Sequence, residues 1–516
     1  MAFNSMALNR VAVSRGVNLE RTGSKSRPLG SRIPALATIQ GCILVFLAAI
    51  GLAAITGVFE YGELVFPTSL LLTVITAWNF YSWRLAGKGW FEPYPLFLLA
   101  ATLFNAGQGL LETFQLNKDG ILHERFAPEL IVMALYLVAL GLASLHFGAL
   151  AALAGAPELP LSDSKTSVPK TTGSNYERLK ATRMVGWAFM GLSIVPFIVV
   201  FKDIVVTALA QGYGGLYGRS QEELMSGPIV VLANFMVPGV LFLLAGSRGK
   251  KTPVLIATLF VALYSITMLA LGARGPAAMV GVAFAWLYDR SIRHLPRTAM
   301  VVSAVVLLCV FALVGAIRGT PGFWQDPAQL SGQAFANMNN PLVAAVSEMG
   351  GSIVTVVHTI RLFPDARPFD YGASYAWAAS TAIPNVGFDV HPAIAHGLLS
   401  DWLIKTVDPR TAREGGGLGY SFIAEAFANF GWYGAIPVLA CLGYLLMRLF
   451  IWGTGAVDPA KLAFIATFLA SFLYFARGES GTVFRSLAWY ALFPYLAVSM
   501  IAQNKSVRRA VQRARR

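Results

Sequence analysis

Arg274, Arg318 and Arg477 each close an apolar run beside glycine, in Gly272-Ala273-Arg274-Gly275, Ile317-Arg318-Gly319 and Ala476-Arg477-Gly478-Glu479. Arg485 follows Arg477 by eight residues, about two turns if the backbone between them is helical. A guanidinium at a buried helix end is costly unless a carboxylate pairs it or a polar cavity receives it. Gathered on one face, such groups make an anion site, and their planar fork suits phosphate oxygens through paired hydrogen bonds. The plainer alternatives for each are snorkelling to headgroups or a structural pair with a carboxylate. The adjacent glycines let backbone or ligand approach closely.

A second constellation is Gly415-Gly416-Gly417-Leu418-Gly419-Tyr420-Ser421, which leads into Ala424-Glu425-Ala426-Phe427-Ala428-Asn429-Phe430-Gly431. A glycine-rich turn before a helix can hold phosphate on exposed amides, or it can simply return the chain to the membrane. It is not a nucleotide P-loop, because no Gly-Lys-Ser/Thr follows. Glu425 and Asn429 are four apart and share one helix face. A carboxylate this early in a span needs a partner, and an arginine of the same end is the expected structural one.

The third set is dispersed over residues 318–419: Glu348, His358, Asp389, His391, His396, Asp401, Arg410 and Glu414. Singly, such groups are ordinarily just solvated. None has metal-ligand spacing, and neither His-Glu-x-x-His nor Gly-x-Ser-x-Gly occurs. Aromatic residues are plentiful here, among them Phe369, Tyr371, Tyr375, Trp377 and Trp402. Core or interfacial-belt positions are their usual role, and a minority suit stacking on sugar rings.

The elements that must carry these groups follow from composition. Of 516 residues, 56% are apolar and 13% charged, and mean hydropathy is +0.60. That excludes an ordinary soluble domain, a disordered chain, a collagen-like repeat and a disulfide scaffold. Continuous apolar runs exclude a transmembrane β-barrel. The expectation is an all-α polytopic integral membrane protein with about 12 transmembrane helices. Spans fall near 35–58, 64–83, 94–111, 129–154, 184–207, 228–247, 254–273, 276–289, 299–317, 420–447, 461–476 and 482–502. The organisation is a basic N-terminus (1–34), helices over 35–154, a Pro/Ser/Thr-rich linker (155–183), helices over 184–317, an outer segment of about 100 residues (318–419), helices over 420–502 and a basic tail (503–516). The outer segment is expected to hold short helices on or dipping into the membrane face. Most of the 40 Lys and Arg fall on alternate connections and both ends, so both termini are expected in the cytoplasm. This gives the net charge of +14 a membrane explanation rather than a nucleic-acid one. No cleavable leader is expected, because the first apolar run is long enough to remain an anchor. Cys42, Cys309 and Cys441 all lie in apolar runs and are expected to be free, buried and inert.

Several stretches resemble the O-antigen polysaccharide polymerase (Wzy) family. They are Ser347-Glu348-Met349-Gly350, Phe369-Asp370-Tyr371-Gly372-Ala373-Ser374-Tyr375, Ile383-Pro384-Asn385, the glycine turn with Glu425 and Asn429, Arg477-Gly478-Glu479, and upstream Gly272-Ala273-Arg274-Gly275. The resemblance implies a multi-pass glycosyltransferase of the bacterial inner membrane. Such an enzyme polymerises undecaprenyl-diphosphate-linked repeat units at the periplasmic face, with no metal or other cofactor. Its implied partners are lipid-linked glycans, membrane lipids and a chain-length regulator, with no nucleic acid. The implied roles are diphosphate binding for Arg274, Arg318, Arg477 and Arg485, and proton removal by Glu425, Glu479 or His396. Substrate positioning falls to Tyr420, Asn429 and Tyr375. A ligase-like glycosyltransferase, a transporter or flippase of lipid-linked sugars, and a membrane scaffold are the competing readings.

Overall fold

The computed structural model describes residues 32–55, 61–116, 122, 125–156, 173–215, 227–317, 340–383, 385, 391–455 and 458–514. Among them there is helix and no strand, as lipid demands of a chain that must satisfy its own backbone. Eleven helices are long and apolar enough to cross a membrane. The chain is an all-α polytopic membrane protein.

The labelled helices are α1 (Arg32–Ile55), α2 (Val65–Leu85), α3 (Pro93–Thr113), α4 (Pro128–Ala154), α5 (Gly173–Gly215), α6 (Pro228–Ala245), α7 (Lys251–Ala270), α8 (Arg274–Ser291) and α9 (Arg297–Ile317). Then follow α10 (Pro341–Leu362), α11 (Ala373–Ser380), α12 (Leu399–Val407), α13 (Phe422–Thr454), α14 (Pro459–Arg477) and α15 (Gly481–Asn504). The best-covered is α4, with 78% of its apolar window inside the protein, against 11% for α9 and 17% for α7. So α4 is the axis of the bundle, and α7 and α9 lie at its rim.

Apolar burial does not drive helix pairing in lipid, and close backbone approach does. The crossing of α4 with α13 illustrates it. A Cβ added at Gly148 would lie 1.8 Å from the Ala440 carbonyl oxygen, and one at Gly443 would lie 1.9 Å from that of Leu145. At the crossing of α3 with α10, a Cβ on Gly107 would meet the Gly350 Cα at 3.0 Å.

Three elements depart from the sequence expectation. The segment expected at 64–83 is the helix α2, but it is too polar to count among the eleven. The reason is a buried polar stripe of Ser69, Thr76, Asn79 and Ser82, in which Asn79 binds Gln40 of α1 and Ser82 binds His146 of α4. The short run at 276–289 is an 18-residue helix that begins at Arg274 itself and is likewise outside the eleven. Residues 341–362, expected as short helices, form a 22-residue apolar unit with a 3-10 turn at Gly350–Ser352, packed on α3, α4 and α9. The cysteines are free, but Cys42 and Cys441 are exposed on the bundle exterior rather than buried.

One helix is discontinuous. Gly431 (φ 66°, ψ −162°) breaks α13 after Phe430, so Glu425 and Asn429 stand on a short half-helix. Carbonyls at a helix end need outside donors. Those of Ala428 and Asn429 accept from the backbone N–H groups of Asp370 and Tyr371, each at 3.0 Å. The Gly372 N–H donates to Asn429 Oδ1 at 2.8 Å. The loop before α11 thus caps the half-helix.

Candidate functional site

Glu425 is the centre of the site. It is 1% exposed, and the half-helix around it is buried on nearly every side. Its partners are hydroxyls and an amide rather than the expected arginine. Ser374 Oγ of α11 donates to Oε1 at 3.0 Å, and Ser480 Oγ donates to the same oxygen. The Ser480 N–H donates to Oε2 at 2.8 Å. Asn429, one turn on, donates from Nδ2 to the Glu425 carbonyl and to Ser374 Oγ, both at 2.8 Å. The shared helix face read from the sequence is therefore real. A carboxylate has about four acceptor positions, and three are taken here, so Oε2 keeps a lone pair.

Two tyrosines border this acid. Tyr420 is buried, its hydroxyl is 3.2 Å from Thr359 Oγ1, and burial holds the phenol well above its usual range. Tyr375 is one residue beyond Ser374. Burial raises its phenol, and the nearby Glu425 and Tyr420 push the same way. Tyr375, Tyr420, Asn429 and Glu425 thus belong to one cluster.

Glu479 has a different task. Its Oε2 accepts from the Leu399 N–H at 2.9 Å and its Oε1 from the Ser400 N–H at 3.0 Å. Both oxygens therefore accept from N–H groups at the start of α12, the end where the helix dipole favours a carboxylate. Burial nevertheless lifts its carboxyl above the ordinary range. His396 is not in the cluster. It is exposed and stacks on Trp377, ring centroids 5.3 Å apart.

The arginines divide sharply. Arg274 is 7% exposed and forms a two-pronged pair with Glu348, from Nη1 to Oε2 at 2.7 Å and from Nη2 to Oε1. It also donates to the Phe311 carbonyl at 2.5 Å. Gly315 makes room, since a Cβ there would lie 2.2 Å from Glu348 Oε2. The structural pair was one of the two plain readings of the sequence, and it is the one found. Arg477 ends the 3-10 turn Leu473–Arg477, is half-buried, and forms no ion pair with another described residue. Its Nε is buried without a hydrogen-bond partner.

The glycine-rich turn lies directly against Arg477. Gly419 has φ +73°, and a Cβ there would sit 3.2 Å from Arg477 Nε. The Tyr420 N–H donates to the Arg477 carbonyl at 3.4 Å. Gly275, next to Arg274, would meet Tyr474 at 3.8 Å, so the start of α8 touches the turn that ends on Arg477. Arg485 lies over the Trp489 ring at 5.7 Å. The eight-residue spacing does not place it two turns from Arg477, because Gly478 is extended and breaks the helix between them. Arg318 lies outside the described residues.

Sequence reasoning missed the residues that hold this cluster together. Ser374 and Ser480 come from distant segments and carry no periodic signal. Asn105 lies in a π turn of α3 (Thr102–Ala106), a distortion frequent at functional sites. It donates to the Ala476 carbonyl at 2.8 Å and accepts from Ser421 Oγ at 2.6 Å. Ser421 in turn caps the half-helix, accepting from the Ile423 and Ala424 N–H groups. Arg367 chelates Asp370 and lies over Trp402 at 5.0 Å, which fixes the capping loop. Paired motifs offered the signal for these two, since Arg-x-x-Asp spacing permits a local ion pair.

Among the described residues, no group of three His, Cys, Asp or Glu is arranged to hold a metal ion. The family model for O-antigen polysaccharide polymerase Wzy matches residues 39–505. No curated protein and no solved structure matches the chain. A helical membrane bundle, a caged acid beside an arginine, and a match over nearly the whole sequence lead to one conclusion: the chain belongs to the O-antigen polysaccharide polymerase Wzy family.

Proposed function

We infer that this polymerase transfers a growing glycan from a lipid diphosphate carrier, undecaprenyl diphosphate by resemblance, to a lipid-linked repeat unit. The reaction face is the periplasmic one, with both termini in the cytoplasm of a cell whose inner membrane holds the protein. In this reading the acceptor hydroxyl oxygen attacks the anomeric carbon of the donor sugar. The bond from that carbon to the diphosphate oxygen breaks, and the leaving diphosphate takes the electron pair. The hydroxyl proton goes to Glu425 through the open lone pair of Oε2. Charge on the leaving oxygens is met by guanidinium groups, with Arg477 first and Arg485 and Arg318 as further donors. No metal is assigned a part.

The observation that carries this reading is the closeness in one short loop of a buried acid's partner and an arginine that forms no ion pair with another described residue. Ser480 holds Glu425, and Arg477 lies three residues before Ser480 with an unsatisfied buried Nε. Arg274 supports the same face through its helix start, and its carboxylate pair makes it an organiser of the site rather than its first ligand. Glu479 and His396 rank below Glu425 as bases, one because it caps α12 and the other because it stands in the open.

Purified protein in nanodiscs, supplied with lipid-linked repeat units, is the test. Products with two or more repeats on one lipid support the reading. Movement of intact lipid-linked units without a new glycosidic bond would establish a transporter instead. In cells, deletion of the gene should leave single-repeat material, whereas long unattached polymer would indicate a ligase.

A further inference from the structure

Tyr371 is one of two described non-glycine residues at positive φ, at 48°. The other, Gln115, closes the C-terminal end of α3, where the left-handed conformation is commonplace. Tyr371 closes no helix. For a bulky side chain such a backbone is a true outlier, and it persists only where its surroundings over-determine it. They do so here through three successive N–H groups, of Asp370, Tyr371 and Gly372, that hydrogen-bond to the half-helix carrying Glu425.

This strained mount presents a ring that is 77% exposed, the most exposed large apolar side chain among the described residues. One flank of the ring is supported edge-on by Phe369, centroids 6.4 Å apart. Gly372 leaves the adjacent space to Phe430, whose ring lies 3.3 Å from where a Cβ would stand. Three residues on, Ser374 holds the Glu425 carboxylate. An aromatic belt does not account for this, because belt residues such as Tyr81 sit on regular helices and need no backbone strain.

We propose that the Tyr371 ring is a stacking platform for a pyranose of the glycan substrate, next to Glu425. A sugar ring offers a face of C–H bonds with slight positive charge, which matches the negative face of the phenol ring. The ring binds and orients, and takes no part in bond making. This inference rests on the polymerase reading above.

The test uses Tyr371→Gly, Tyr371→Phe and wild type as full-length protein in nanodiscs. Glycine is at home at φ 48°, so Tyr371→Gly removes the ring and the strain together and melts no lower than wild type. The first probe is the free repeat-unit oligosaccharide, released by mild acid from lipid-linked units of cells lacking this gene. Its binding is read by saturation-transfer NMR. Tyr371→Gly should weaken binding about tenfold and raise KM for lipid-linked units about tenfold, with kcat within about twofold of wild type. Tyr371→Phe should stay near wild type in both. Wild-type binding and KM in Tyr371→Gly would overturn the proposal. So would equal damage in Tyr371→Phe and Tyr371→Gly, since that assigns the effect to the hydroxyl. If wild type makes no glycosidic bond at all, the polymerase reading fails, and the oligosaccharide arm still decides whether the ring meets a sugar.

Discussion

Arg274 and Arg477 begin from the same sequence context, an arginine beside glycine at the end of an apolar helix, and they reach opposite electrostatic states. Arg274 is neutralised by both oxygens of Glu348 and by a backbone carbonyl. Among the described residues, Arg477 lies against backbone and a glycine turn, forms no ion pair, and leaves its Nε unsatisfied. A two-pronged carboxylate pair uses up the fork that would bind phosphate. The difference teaches that one arginine is tied into the frame, while the other, on the proposed reading, is left to meet an anion.

The sharpest way to break that contrast is Arg477→Ala. On the proposed reading it lowers elongation by about a hundredfold or more, as loss of a charge-stabilising donor does, while folding is retained. Arg477→Lys restores little, because an ammonium lacks the planar fork. Chain-length profiles from membranes in which the variant replaces the wild-type protein check both. Elongation at wild-type level in Arg477→Ala would erase the distinction.

Glu348→Ala should act on stability instead. It leaves the buried Arg274 guanidinium unpaired, at a cost on the order of 3 kcal/mol. Removing both partners, as Arg274→Met with Glu348→Leu, should recover most of that loss. Thermal melting in detergent measures it, and a single variant as stable as wild type would show that the pair is not structural.

Gly419→Ala tests the mount of Arg477 without touching its charge. The methyl group would sit 3.2 Å from Nε on a backbone at φ +73°. The strain is about 1 kcal/mol, and elongation should fall about tenfold with the protein still inserted. The smallest effect belongs to Glu479. Burial raises its folded pKa above that of the unfolded chain. The folded state therefore holds the proton more tightly. Its contribution is complete below the unfolded carboxylate range, near pH 4, and is lost as pH rises through the folded value. Melting temperature should decline over that interval in wild type, and Glu479→Gln should flatten the decline.

Much of the frame was readable from the residues. Apolar runs and their charged flanks located ten of the eleven apolar helices, and the four-residue step from Glu425 to Asn429 gave one face of the half-helix. Residues 341–362 stood out as a moderately apolar piece but not as a full span, because Gly350 and Gly351 split the apolar run and Glu348 lies within it. The partners of Glu425 were out of reach for a different reason. Ser374 and Ser480 lie 51 and 55 residues away, and a serine announces nothing until folding brings it close. Arg274 and Glu348 are 74 residues apart, so the sequence offered an arginine wanting a partner but not which one. The eight-residue interval between Arg477 and Arg485 misled because helical arithmetic does not survive an extended glycine.

The seal that residues 370–372 make over the broken helix sets how firmly the end of that helix is held. Peeling that strap away would strip two carbonyls of their donors in poorly hydrated surroundings, a penalty of about 1–3 kcal/mol for each. The strap therefore ties the end of the Glu425 half-helix to the loop before α11 as one unit. On the proposed reading, a long-tailed carrier would then reach the acid sideways, at the depth where lipid tails lie, without displacing that strap.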